Sequence, residues 1–130
     1  MDKLTNIEIG TFLKLFNRGG YVLDFTTNDF DVFTMESIGI ALCNEYHMSK
    51  GKSLAAYVNS ASTSDIEKLL NDLLSYYEEN YEQEYTENLT DDEYSYCQYN
   101  AEYARLYKKC RAYMNRVLNN TTPLAVNATE

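Results

Sequence analysis

From Tyr96 to Val117 the chain repeats bulky residues at alternating steps of three and four: Tyr96, Tyr99, Tyr103, Leu106, Cys110, Tyr113 and Val117. An α-helix turns that spacing into one continuous stripe, because 3.6 residues per turn bring i, i+3, i+4 and i+7 to the same side. An earlier stretch does the same, with Ile66, Leu69, Leu70, Leu73, Tyr77, Tyr81 and Tyr85 following a Ser64/Glu67 pair at capping-box spacing. The connection at 86–90 is short, so the two helices are expected to fold back antiparallel. The expectation is a helical hairpin over about 64–87 and 91–118, its second helix opening at Thr90 with Glu93 three residues on. Its seam would be Leu69, Leu73, Tyr77, Tyr99, Tyr103 and Leu106.

Charge is distributed to match. Between Asp65 and Glu102 stand twelve acids and one base, Lys68, whereas Arg105, Lys108, Lys109, Arg111 and Arg116 follow Tyr103. Antiparallel folding would set that basic half beside Asp65, Glu67 and Asp72. It would also crowd Glu82, Glu84, Glu87, Asp91, Asp92 and Glu93 around the turn, where like charges repel within a Debye length.

The first sixty residues read as a cluster of short elements. Thr5 with Glu8 has capping-box spacing before Ile9, Phe12, Leu13 and Phe16, and Gly19-Gly20 stop that helix. Tyr21–Phe25 is extended, and Thr27-Asn28 cap a helix from Asp29 with Phe30 and Phe33 inward. Ile38-Gly39-Ile40 is a break and Ala41–His47 a short helix. Ser49–Lys52 reads as a loop, and Ser53–Ala61 as a last helix of this part with Ser53 as its cap. The fold class is therefore mostly α: short helices with one or two extended segments, then the hairpin. One domain spans 1–118 (1–61 the cluster, 64–118 the hairpin), and Asn119–Glu130 is a polar tail or linker.

Among 130 residues the net charge is -9, and 13 Tyr stand beside 5 Phe and no Trp. Such a chain is repelled by nucleic-acid phosphate and anionic lipid, which points to a protein partner or self-association instead. Tyrosine suits half-buried seams and interfaces, having apolar area and a hydroxyl that seeks a partner. The N-terminus has no apolar leader and the sequence no membrane-length apolar run, so a cytoplasmic location is expected. The three cysteines, Cys43, Cys97 and Cys110, form no CxxC pair, and reduced thiols suit that compartment.

The candidate chemistry is thin. Lys50-Gly51-Lys52-Ser53 ends like a phosphate-binding loop, but the motif needs Gly where Tyr46 stands. His47, the one histidine, has no nucleophile in a recognisable elbow beside it, and one His with scattered Cys builds no typical zinc site. Asp24, Asp29, Asp31 and Glu36 lack the alternation and the Gly of a calcium loop and read better as helix-capping acids. No catalytic, cofactor-binding or metal-binding residues are expected. The expected contact residues are Arg18, Lys50 and Lys52 on one edge, with Glu82, Glu84, Asp91 and Asp92 at the acidic tip.

Phe16-Asn17-Arg18-Gly19-Gly20-Tyr21-Val22-Leu23-Asp24-Phe25, then Asn28-Asp29-Phe30 and Lys50-Gly51-Lys52-Ser53-Leu54, resemble the N-terminal module of bacterial abortive-infection (AbiJ-like) proteins. The similarity covers about 12–58. It implies a phage-defence context and a sensing, docking or autoinhibitory role. In such proteins the module precedes a separate effector domain, often a helical ribonuclease, and the Arg/His pair such a nuclease needs is missing from the hairpin here. The expected function is thus a non-enzymatic interaction module. The alternative is a phage-encoded acidic inhibitor that imitates nucleic acid or blocks a basic groove on a host protein.

The seam has a direct consequence. Leu106→Ala should lower stability by about 2–5 kcal/mol, as core truncations do; an unchanged thermal midpoint would place Leu106 at the surface.

Overall fold

A computed structural model describes residues 3–87 and 98–121 and is mostly helical. Helix α1 (Asn6–Phe16) opens with the expected capping box: Thr5 Oγ1 accepts from Glu8 N, and Glu8 returns the bond to Thr5 N. It ends at Asn17, earlier than expected, because the chain enters a hairpin there. Strand β1 (Asn17–Arg18) pairs antiparallel with β2 (Tyr21–Val22), Asn17 opposite Val22 and Arg18 opposite Tyr21. Gly19 and Gly20 form the two-residue turn rather than a helix cap. Both have positive φ, 63° and 94°, the requirement of a type I′ turn.

Helix α2 (Thr27–Ile38) is capped by Thr26, one residue before the expected pair, and ends at Gly39 in the left-handed region. Helix α3 (Leu42–Tyr46) ends at His47, also left-handed. Helix α4 (Lys50–Ser60) starts where a loop was expected. Ser49 caps it by accepting from Lys52 N, and Ser53 is instead buried, donating to Met48 O. Helix α5 (Thr63–Asn80) takes its cap from Ser62 rather than Ser64. Every displaced cap is still a Ser or Thr whose hydroxyl reaches the amide three residues on. In these Ser- and Thr-rich runs several positions satisfy that rule equally.

The expected long first helix of the hairpin stops at Asn80. Tyr81 leaves helical geometry (φ −122°, ψ 27°), and α6 (Glu82–Tyr85) follows as a single turn. Helix α7 (Ala101–Thr121) begins ten residues later than expected and continues into the stretch read as tail. Asn100 stands at its start, its side chain accepting from Tyr103 N. The expected start at Thr90/Glu93, the seam residue Tyr96 and the acids Asp91 and Asp92 lie outside the described residues. Tyr99 precedes α7 and is 42% exposed, so it is not a seam residue. Leu69, Leu73, Tyr77 and Leu106 are buried and Tyr103 partly so.

α7 runs antiparallel to α5: Tyr107 and Arg111 meet Glu78, while Val117 and Leu118 share a groove with Glu67 and Lys68. Its broadest packing, however, is against α1 and α6. Met114 as well as Cys110 and Val117 is buried, so the apolar side of α7 is wider than a single stripe and covers more than one neighbour. One core joins both halves of the chain, with Phe12, Leu15 and Phe16 of α1 in the same cluster as Leu70 and Leu74 of α5 and Met114 of α7.

The basic half of α7 pairs differently from expectation. Arg111 binds Glu78 at 2.8 and 2.9 Å, and Arg116 crosses to α1, holding both oxygens of Glu8 at 2.7 and 2.8 Å. Asp72 is taken by Lys68 and Ser37, and Glu67 accepts from Leu4 N. The geometry accounts for the exchange: α7 lies over α1, which brings Arg116 to the capping-box Glu8.

Hydrogen bonds from Arg116 hold the Glu8 carboxyl at about 2, below its ordinary 4.5. A carboxyl depressed in the folded state stabilises the fold above its unfolded value, and that contribution disappears as pH falls from about 4.5 towards 2. Glu8→Gln should therefore lower the thermal midpoint at pH 7, and the gap from wild type should close across that acid window. A gap that stays constant down to pH 2 would show that Glu8 contributes through something other than its charge.

Candidate functional site

The expected contact residues fall into two environments, and the first is an ionic cluster in which Glu84 is buried and Arg18 partly so. Arg18 Nε donates to Leu15 O at 2.9 Å, satisfying a last-turn carbonyl of α1 that the helix itself leaves open. Its terminal nitrogens grip Glu84 of α6 bidentately at 2.9 and 3.2 Å. Tyr77 donates its hydroxyl to the same carboxylate at 2.6 Å. The guanidinium lies 3.8 Å from the ring centre of Tyr103 and 5.9 Å from that of Tyr81. Tyr77 and Tyr81 stack at 5.2 Å, and Tyr85 stacks on Tyr107 at 4.1 Å. Part of the Tyr stripe is thus the wall around one ion pair. With both charges engaged in this way, the cluster ties α1, the β1–β2 hairpin, α5, α6 and α7 together.

The second environment is the start of α4. Lys50 is 7% exposed and its ammonium lies 4.6 Å from the centre of the Tyr21 ring, while Lys52 is open to solvent. Gly51 meets the hairpin turn so closely that an added Cβ would stand 3.3 Å from the Gly20 backbone. The amides that a phosphate cradle would offer are engaged within the fold: Gly51 N with Gly20 O, Lys52 N with the Ser49 hydroxyl, Ser53 N with Ser49 O. Lys-Gly-Lys-Ser serves a close helix-to-turn contact. Arg18 and Lys50 do gather around one hairpin, but of the three expected basic contacts only Lys52 presents an open charge. At the acidic tip Glu82 is exposed, Glu84 is inside the cluster, and Asp91 and Asp92 lie outside the described residues.

The remaining polar candidates also have structural places. Asp31 accepts from Cys43 N and Asn44 N at 2.7 and 3.2 Å, so it caps α3 rather than its own helix. Asp24 accepts from the Tyr76 hydroxyl at 2.9 Å. His47 terminates α3. Among the described residues no group of three His, Cys, Asp or Glu is placed to hold a metal ion. Cys43 and Cys110 are buried free thiols, and burial pushes the Cys110 thiol up to about 12, which keeps it protonated and poorly nucleophilic.

What stays open is a cleft of about 430 Å³ between α2 and α5. Phe33 and Tyr76 form its apolar floor, in edge-to-face contact at 5.8 Å, and Phe25 stacks beneath Tyr76 at 4.5 Å. Glu36, Asp72 and Glu79 border it. A smaller apolar depression of about 360 Å³ adjoins it on the outer side of α2, lined by Val32, Met35 and Ala41 with Asp31 and, again, Glu36. Val32, Met35 and Tyr76 are not among the expected contact residues, and Phe33, Asp31 and Glu36 were expected only as core or helix-capping groups. A signal was present: Val32 and Met35, three apart, are apolar on the side of α2 away from Phe30, and both are 51% exposed.

No protein-family model, curated protein or solved structure matches the chain. Among the described residues no helix is long and apolar enough to cross a membrane.

The ionic cluster gives the sharpest test of this assignment of roles. Glu84→Ala leaves the partly buried Arg18 without its partner and should cost about 1–3 kcal/mol in denaturant unfolding. Removing both charges, with Arg18→Met and Glu84→Leu, should cost clearly less than the two single losses added together. Additive losses would mean that the two side chains act independently.

Proposed function

We propose that the protein is a non-enzymatic interaction module of an abortive-infection-type phage-defence system, acting in the cytoplasm through contact with a protein partner. The observation that carries this reading is the use made of its polar groups. Those a catalyst would draw on (Arg18, Glu84, Asp31, the Lys-Gly-Lys-Ser amides) are engaged in holding the fold, while an apolar cleft with acidic borders is left open. Lys52, Glu36 and Glu79, exposed on the surface, can select a partner by charge without chemistry. The resemblance over 12–58 supplies the defence context, and the residues that carry it build the hairpin and its contact with α4. The net charge of -9 favours a second reading, an acidic inhibitor of a basic host protein.

The test joins two measurements. The purified protein should hydrolyse neither nucleoside triphosphates nor RNA, and expressing it with its native gene neighbours should reduce phage plating. Turnover that survives purification and disappears on Lys52→Ala would overturn the non-enzymatic reading. Expression that raises phage plating would replace the defence role with the inhibitor.

A further inference from the structure

We infer that the α2–α5 cleft receives a basic protein segment carrying a large apolar side chain, with Phe33 and Tyr76 taking the apolar anchor and Glu36 and Glu79 the flanking Lys or Arg. The inference rests on the interaction-module reading and names the chemistry of its partner. Its apolar part follows from the floor: two aromatic rings set edge to face, supported from below by Phe25, leave an opening of about 430 Å³, room for a Leu-, Met- or Phe-sized group. Val32 and Met35 extend this apolar ground past Glu36, so Glu36 stands between two apolar depressions.

Charge decides the class of occupant. Of the three acids at the cleft, Asp72 is already bound by Lys68 at 2.8 Å and by Ser37 at 2.6 Å. Glu36 and Glu79 are exposed, and among the described residues neither has an ion-pair partner. α2 carries Asp29, Asp31 and Glu36 and no base. Two uncompensated carboxylates bordering an apolar floor repel phosphate and anionic lipid, and they complement a segment in which bases flank an apolar residue. Asp72, neutralised by Lys68, contributes shape and not attraction.

The experiment uses the full chain and a fluorescein-labelled synthetic helix with Leu on one side and Lys on the other, followed by anisotropy. Two control peptides replace every Leu by Ser or every Lys by Glu. The wild type should bind the Leu/Lys helix, more weakly as salt rises from about 50 to about 300 mM, and should bind neither control. Glu36→Lys combined with Glu79→Lys should weaken binding about tenfold or more, and Tyr76→Ala should weaken it with the salt dependence kept. Thermal midpoints of the charge variants check that the fold is intact. Equal binding of the Ser-substituted peptide, or undiminished binding by the charge-reversed variant, overturns the inference. So does a protein that dimerises on its own and becomes monomeric on Glu36→Lys/Glu79→Lys, because a second copy would then be the occupant. Should phage protection persist in the charge-reversed variant while the peptide binds it as tightly as wild type, the cleft is wrong and the interaction-module reading stands on its own assays.

Discussion

The pairing of Arg18 with Glu84 joins parts of the chain that sequence keeps 66 residues apart. Arg18 belongs to a hairpin two residues wide, which could not persist alone. Glu84 belongs to a helix of four residues, too short to be stable by itself. Each makes the other's element possible. The bond from Arg18 to Leu15 O closes α1, Tyr77 brings in α5, and Tyr103 brings in α7. Burying such a pair costs desolvation, and here several hydrogen bonds and stacked rings offset it.

Local signals in the sequence were legible where they depend on neighbours three or four residues away. The Thr5/Glu8 capping box, the break at Gly39 and the stripe from Ile66 to Tyr77 stand as the spacing implies. Cap positions shifted by one to four residues because Thr26-Thr27, Ser49/Ser53 and Ser62/Ser64 offer equivalent hydroxyls, and tertiary packing picks among them. The break at Tyr81 was not legible. The stripe continues through it without a fault, and the break coincides with the turn that sets Glu84 against Arg18. Long-range pairings such as Arg116 with Glu8 leave no periodic trace at all. Of the site, the Lys-Gly-Lys-Ser string misled because a glycine needed for close approach to a phosphate is also what close approach to another turn needs. The cleft went unread because Phe33 and Tyr76 look like ordinary seam residues until two helices are set side by side.

The abundance of tyrosine over tryptophan and phenylalanine also has a physical account. Tyr77, Tyr107 and Tyr76 each present a ring to an apolar neighbour and a hydroxyl to a carboxylate: Glu84, Glu78 and Asp24. Phenylalanine would fill the same space and leave those acids short of a donor. In an acid-rich chain the tyrosines therefore let carboxylates approach the core, doing with hydroxyls what the scarce Arg and Lys cannot do everywhere.

The broad contact between α1 and α7 bears on how the protein emerges from the ribosome. α1 is made first and α7 last of the described helices, so the face of α1 that meets α7 stays uncovered until α7 has followed. Its capping box lets a helical turn form early, but Arg116, which fixes Glu8 in the finished fold, arrives 108 residues later. Until then that face is open to chaperones and to premature association. The packing of α1 is completed only when α7 closes over it.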